Sequence, residues 1–367
     1  MSEARVTREG LEGVHPGREA RFGNGLDNGL DGEAALAGRR QRERRMVPQA
    51  EFTSYYGRPV LKVPAWEARD IAGYMFLGGL AGAGSTLAAA AQLTGRPGTA
   101  RALKLSSLGA ISLSTVALVH DLGRPARFLN MLRVAKPTSP MSVGSWLLAG
   151  YGPAAGLAAA SAATGLLPRL GTTATLAAGG LGPAIATYTG VLLADTAVPA
   201  WHEGHRELPY VFAASAATAA AGMALLAGPR GENGPARRVA ALATGAELLA
   251  LRSMVISAGH AGEPYRTGRP GRLLTTARRL AVLGTAGAAL FGGRSRAAAA
   301  LSGAALVAAS AATRFAIFHA GIASARDPKY TVLPQRLRLR ATSVRPGGDG
   351  AGADGGAGPV PGPEAAG

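Results

Sequence analysis

The amino-acid sequence predicts an all-α integral membrane protein with eight transmembrane helices in two four-helix bundles. Four stretches contain no Asp, Glu, Lys, Arg or His at all: 71–93, 141–167, 170–194 and 208–229. Each exceeds the roughly 20 residues that a helix needs to cross the hydrocarbon core of a bilayer. Because lipid offers the backbone no hydrogen-bond partners, a stretch that crosses it must be helical. A soluble protein would need polar residues within these stretches to cover its surface, which argues against a soluble fold.

Small residues dominate the predicted spans. The chain has 53 glycines, and the first span contains the run GGLAGAG at 78–84. Small residues let helix backbones approach closely where packing, rather than water exclusion, drives helix association. The composition therefore agrees with closely packed transmembrane bundles.

Eight segments are interpreted as spans: 71–93, 105–120, 141–165, 172–194, 209–228, 239–258, 273–292 and 297–319. The seventh is the weakest, because Arg278 and Arg279 lie near its beginning, and a count of seven is the alternative. His120 and His260, which end the second and sixth spans, are 140 residues apart. This spacing fits two four-helix halves.

Polar segments flank the membrane domain, which is predicted over 46–325. Residues 1–45 have low hydrophobicity and a charged run at 39–45, so we expect a disordered extension. Residues 326–367 are predicted to form a disordered tail. The formal net charge is +17, but membrane topology also requires Arg and Lys in loops and termini. No basic groove with interleaved aromatic residues is visible, so no nucleic-acid partner is expected.

The ionisable residues of the membrane domain concentrate at one face. If both termini lie on one side, even-numbered spans end on that side and the first span begins there. That face then receives His120, Asp121, Asp195, His202, Glu203, His205, His260 and His319, together with Asp70 at the beginning of the first span. Ionisable groups near membrane depth are costly and usually functional. The pattern predicts a single chemical face.

Each candidate residue admits two interpretations. His120 and Asp121 either cap a helix end, with Arg124 pairing Asp121, or form a proton-exchanging cluster that holds a polar head group. Tyr74 and Tyr188 are either packing residues or hydroxyl donors to a carbonyl. Glu247 is either paired with Arg252 or Arg314, or is part of a proton path.

Resident redox metals are not expected in this chain. It contains no Cys, which excludes Cys-ligated iron–sulfur clusters. A bis-His haem needs imidazoles on facing helices within the bilayer, whereas the histidines of the membrane domain fall at helix ends or in loops. We therefore expect neither haem nor an iron–sulfur cluster.

Three segments resemble membrane subunits of the polysulfide reductase NrfD/PsrC family. They are HDLGRPARFLNMLRVAKPTSPMSVGSW at 120–146, YMFLGGLAGAGS at 74–85 and AEFTSYYGRPVLKVPAWE at 50–67. The last is similar to actinobacterial members in particular. The resemblance covers about 46–325, and residues 121–125 match a family motif position by position.

The resemblance implies a membrane anchor within a multi-subunit molybdopterin oxidoreductase. Such a subunit exchanges electrons between menaquinone or ubiquinone and an iron–sulfur subunit, which is attached to a molybdopterin catalytic subunit. It is therefore either non-catalytic or quinone-reactive. The resemblance places the quinone site at one end of the first bundle. We assign His120 and Asp121 to catalysis, and to quinone binding Tyr74, Arg124, Tyr188 and Asp195.

The alternative function is a secondary transporter, or a proton-translocating membrane protein without a redox role. A transporter places its polar groups near the midplane of the membrane, often at broken helices. Here the polar groups concentrate at one face, with Glu247 as the exception. The two functions therefore differ in where the working residues lie.

Overall fold

The computed structural model describes residues 5–7, 10–12, 60–64, 66–122 and 130–334. Eight long helices occupy most of this part of the chain: α1 (Ala68–Leu93), α2 (Pro97–Asp121), α3 (Pro140–Thr164), α4 (Pro168–Ala194), α5 (Leu208–Ala227), α6 (Gly234–Ser257), α7 (Gly268–Leu290) and α8 (Arg296–Arg326). Short helical turns at Pro199–His202, Arg230–Glu232 and Gly259–Tyr265 lie in the connections. Two short strands, β1 (Arg5–Thr7) and β2 (Gly10–Glu12), pair antiparallel.

The helices are those of a multi-pass membrane protein. Among the described residues, six helices are long and apolar enough to cross a membrane, namely α1, α2, α4, α5, α6 and α8. The prediction of an all-α integral membrane protein is confirmed. Gly, Ser and Pro residues lower the mean hydropathy of helix α3, and α7 carries several arginines. Both helices nevertheless match the others in length. The total of eight spans stays a prediction.

Each predicted span lies mostly within one long helix, and the helices extend further than the apolar segments. Proline stands at the beginning of α2, α3 and α4, where its missing N–H would have no partner within the helix. The largest difference is at α2, which begins at Pro97 rather than 105. In its first turn the backbone N–H groups of Gly98 and Thr99 donate to the carboxylate of Glu232. Further along, Lys104 donates to the side chain of Gln92 on α1.

The flanking segments are only partly described. The strands β1 and β2 lie within 1–45, and the remainder of that extension is outside the described residues. The same holds for the tail beyond 334. The predictions of disorder for these two segments, and the domain limits at 46 and 325, stay predictions.

The eight helices form two four-helix bundles with the same packing pattern. In the first bundle α1 contacts α2 and α4, and α3 contacts α4; in the second, α5 contacts α6 and α8, and α7 contacts α8. In each bundle the first and fourth helices cross at a pair of glycines, Gly82 with Gly182 and Gly222 with Gly303. Gly82 and Gly222 are separated by the same 140 residues as the two histidines noted above.

Replacing Gly82 by leucine should lower the yield and thermal stability of the folded protein. A Cβ atom at this position would lie 2.4 Å from the carbonyl oxygen of Gly182, so α1 and α4 would have to separate. Overpacking of this kind typically costs about 1–3 kcal/mol, occasionally more. At Gly79 the nearest atoms are side-chain atoms, 3.3 Å from Ala216 and 3.4 Å from Arg314, so a smaller loss is expected.

Gly73→Leu is the matched control for this prediction, because Gly73 lies on the same helix and a Cβ atom added to it would meet no other atom within 4 Å. The measurement is the amount of monodisperse protein in detergent and its midpoint of thermal unfolding. Equal midpoints for the Gly82 and Gly73 variants would show that the crossing tolerates a side chain.

Candidate functional site

The candidate site is built on an antiparallel helix hairpin. Helices α1 and α2 are joined by residues 94–96, and Asp70 lies as far before this loop as His120 lies after it. The two side chains therefore meet, with His120 Nδ1 2.7 Å from Asp70 Oδ2. The Asp70 side chain is 12% exposed, whereas that of His120 is 73% exposed. Asp70 thus orients the imidazole from inside the bundle and leaves Nε2 available to a ligand.

Asp70 was not among the predicted site residues, although a signal for it existed. Adjacent antiparallel helices bring together residues at equal distances from their connection, and Asp70 is the only acid in α1. The sequence analysis grouped His120 with its neighbour Asp121 in one cluster. In the structure the side chain that is hydrogen-bonded to the imidazole is Asp70.

Asp121 lies beside the Asp70–His120 pair. It is half-buried at the last position of α2 and interacts electrostatically with Asp70, Glu67 and His120. This end of the first bundle therefore concentrates negative charge around one histidine. Arg124, predicted to pair with Asp121, lies outside the described residues, so that pairing stays a prediction.

Two tyrosines lie one helical turn deeper. Tyr74 follows Asp70 by four residues on α1, which places it on the same helix face. Its hydroxyl interacts with that of Tyr188 on α4. The ring of Tyr188 packs directly against Gly144 of α3. A Cβ atom added to Gly144 would lie 2.4 Å from the ring. The tyrosine pair therefore joins three helices of the first bundle behind Asp70.

Asp195 is separate from this cluster. It is exposed at the end of α4, seven residues after Tyr188, or about 10 Å further along the helix axis. Within the described part of the chain, no hydrogen bond or ion pair joins Asp195 to the tyrosines, His120 or Asp121. The structure thus places Asp195 near the same membrane face but outside the cluster.

A groove of about 790 Å³ runs along the outer surface of the first bundle between α2 and α3. His120 lies at one end and Leu108 at the other, so it extends about 18 Å along α2. The residues between them are mainly aliphatic, including Ile111, Val116 and Leu148. Neither tyrosine is among the lining residues. The groove can hold an apolar chain whose polar head group contacts His120.

A second polar cluster lies in the middle of the second bundle. Thr313 Oγ1 on α8 donates to Glu247 Oε1 on α6 at 2.9 Å. Arg314 donates to the Phe212 carbonyl oxygen at 2.7 Å, and its guanidinium lies 3.8 Å from the Phe212 ring centroid. Glu247 and Arg314 are buried. Among the described residues no carboxylate lies within 4 Å of Arg314, so the proposed ion pair is an electrostatic interaction at longer range.

Three buried polar atoms of this cluster have no hydrogen-bond partner among the described residues: Glu247 Oε2, Arg314 Nε and Arg314 Nη1. Buried polar groups are normally satisfied by protein or by ordered water. Arg252, the other partner considered for Glu247, is instead exposed at the bundle surface. Within the described residues, no group of three or more His, Cys, Asp or Glu side chains could hold a metal ion.

Comparison with known proteins identifies the family. No curated protein matches the chain. Residues 65–242 match the family model described as "Polysulphide reductase, NrfD", which includes α1 to α5, the beginning of α6 and the His120 cluster. Proteins of this family are membrane subunits of molybdopterin oxidoreductase complexes, where they assemble with iron–sulfur and catalytic subunits. The chain is a multi-pass membrane protein that belongs to the NrfD family.

Proposed function

We propose that this chain is the membrane anchor and quinone-reactive subunit of its complex, passing electrons between the quinone pool and an iron–sulfur subunit. The observation that carries the proposal is His120 at the mouth of the apolar groove, hydrogen-bonded to the buried Asp70. The isoprenoid chain of menaquinone or ubiquinone lies along the groove. Its head group contacts His120 Nε2.

The Asp70–His120 pair supports the proton chemistry that a quinone requires. Oxidation of a quinol releases two electrons and two protons, and reduction takes up the same number. With Nδ1–H donated to Asp70, the neutral imidazole presents an Nε2 lone pair that accepts a proton from a quinol hydroxyl. Asp70 stabilises the imidazolium so formed. In the reverse direction the imidazolium donates Nε2–H to a quinone oxygen.

The other candidate residues divide between two roles. Asp121, half-buried at the end of α2, receives the proton from His120 and releases it to water. Tyr74 and Tyr188 lie behind Asp70, where they pack and fix α1 against α4 rather than contact the head group. Both electrons leave to the iron–sulfur partner, which docks at the end of the bundle where His120 is exposed. Asp195 at the same membrane face contributes to that surface.

Purification of the complex tests this proposal. The tagged chain, extracted in mild detergent, should retain an iron–sulfur subunit and a molybdopterin subunit. The complex should react with both a menaquinol analogue and an artificial dye. The two soluble subunits without this chain should react with the dye alone. A complete complex that leaves the quinone analogue unchanged would refute the proposed role.

Proton translocation without a redox role is the second candidate function. The observation that favours it is the buried Glu247–Arg314 cluster, because transporters place polar groups near the membrane midplane. The purified chain in proteoliposomes with an internal pH dye distinguishes the candidates. Proton flux by the chain alone supports translocation, whereas flux only during quinol turnover, or none, supports the redox role.

A further inference from the structure

Three arginines line one groove on the second bundle. A cavity of about 590 Å³ lies between α6, the turn Gly259–Tyr265 and α7, with walls that include Arg252, Arg266 and Arg278. None of the residues that line it is acidic. Among the described residues, no carboxylate lies within 4 Å of these three guanidinium groups. Glu263 in the same turn is already bound to Lys329, at 3.0 Å. The groove therefore carries uncompensated positive charge.

Arg252 and Arg278 lie towards the Ser257 end of α6. The hydroxyls of Thr244 and Thr285 are 2.9 Å apart and align α6 with α7 as antiparallel neighbours. Arg252 is eight residues beyond Thr244, and Arg278 is seven before Thr285. Both therefore stand about 10–12 Å from that level, near the end of α6. Long arginine side chains near a helix end extend towards the polar head-group layer.

The groove also has aliphatic walls. Leu248 lies one helical turn deeper than Arg252, whereas Ile256 and Leu274 lie nearer the end of α6. Ile256 is 60% exposed, and Leu249 beside Leu248 is 71% exposed, as expected of side chains that contact acyl chains. The groove therefore places an anion site at Arg252 and Arg278 beside exposed aliphatic side chains that a hydrocarbon chain can contact. An acidic side chain of a partner protein would use only the first of these features.

We propose that this groove binds an anionic phospholipid, with its phosphate between Arg252 and Arg278 and one acyl chain along Leu248. Guanidinium groups bind phosphate through two parallel hydrogen bonds, so two opposed arginines can hold one phosphate. A bound anion also lowers the electrostatic repulsion between the arginine side chains that line the cavity. Arg266, whose Nη2 donates weakly to the Val255 carbonyl oxygen at 3.4 Å, contacts the head-group glycerol side. A choline or ethanolamine cation would meet this third arginine unfavourably, which makes the site selective.

Lipid binding to the purified full-length chain tests the proposal. After delipidation in detergent, phosphatidylglycerol, phosphatidylcholine or inorganic phosphate is added, and binding is measured by native mass spectrometry and thermal unfolding. We expect phosphatidylglycerol to bind and to raise the unfolding midpoint more than the other two additions. In Arg278→Gln its affinity should fall by about tenfold, as expected for loss of a charge-assisted hydrogen bond.

Arg279→Gln is the matched control, because Arg279 is the exposed neighbour of Arg278 on α7 but does not line the groove. It should retain the wild-type preference. Equal binding of phosphatidylglycerol and phosphatidylcholine, equal effects of the two variants, or an equal response to inorganic phosphate would overturn the proposal. So would release of a partner subunit from the complex by Arg278→Gln without loss of lipid, because the occupant would then be a protein carboxylate.

Discussion

Replacing His120 by alanine should lower quinol turnover of the assembled complex by about 10²–10⁴-fold, the usual cost of removing a proton-transfer group. Dye turnover should be unchanged, because electrons from the dye do not pass through the quinone site. The measurement is the ratio of the two rates in the purified complex. If His120 merely ends a helix, the loss of its hydrogen bond costs about 1 kcal/mol of stability and leaves the rate ratio unchanged.

Asp70→Asn tests the contact that sequence interpretation had missed. The amide keeps the size of the side chain but no longer stabilises an imidazolium. We expect quinol turnover to fall by about tenfold or more, and the pH at which the rate is half-maximal to shift because protonated His120 loses its anionic partner. A rate change without such a shift would indicate that Asp70 only packs.

His260→Ala is the matched control for both variants. His260 is exposed in the turn Gly259–Tyr265 of the second bundle, at the position that corresponds to His120 in the repeat. Its replacement should leave both the quinol and dye rates at the wild-type level. A loss as large as that of His120→Ala would place the quinone site in the second bundle.

Replacing Glu247 by glutamine should lower the free energy of unfolding, by less than the roughly 3–5 kcal/mol typical of breaking a buried ion pair, because the carboxylate and Arg314 interact at longer range. Glutamine can still accept the hydrogen bond from Thr313, so the lost quantity is the negative charge near Arg314. Arg314 is fully buried and remains charged. The free energy of unfolding is measured at equilibrium in mixtures of a mild detergent and a denaturing detergent.

The double variant Glu247→Gln with Arg314→Met should recover most of this loss, because it removes both charges and fills a similar volume. Arg279→Met, at an exposed position, is the control and should change the stability by less than about 0.5 kcal/mol. If Glu247→Gln is as stable as the wild type, Glu247 is already neutral in the native protein and Arg314 is stabilised without it.

The helices were predictable because hydrophobicity is a local property of the chain. Uncharged stretches such as 71–93 and 170–194 leave lipid or a buried core as the only environments for their residues, and the backbone then has to be helical. The exact ends were less predictable. Charge counting placed the beginning of the second span at 105, whereas the helix begins at Pro97. The charged Lys104 is accommodated there because it donates a hydrogen bond to Gln92.

The candidate site was predictable only in part. His120, Asp121, Tyr74 and Tyr188 were identified individually, from the asymmetry of ionisable groups and from the family motif. The sequence did not predict that these four residues face two different surfaces of the bundle. His120 faces the groove, while the tyrosines lie behind Asp70 in the bundle, because the rotation of each helix is set by packing against its neighbours. Residue types alone do not report that rotation.

The amino-acid sequence by itself determined three things: that this is a membrane protein, which segments form its long helices, and to which family it belongs. Each of these follows from short segments of the chain. Only the tertiary structure decided that Asp70 is the partner of His120, that Glu247 bonds to Thr313 rather than to an arginine, and that three arginines share one groove. Those contacts join residues far apart in the sequence. They exist because glycine crossings such as Gly82 with Gly182 bring particular helix faces together, and that choice is made by the packing of the whole bundle.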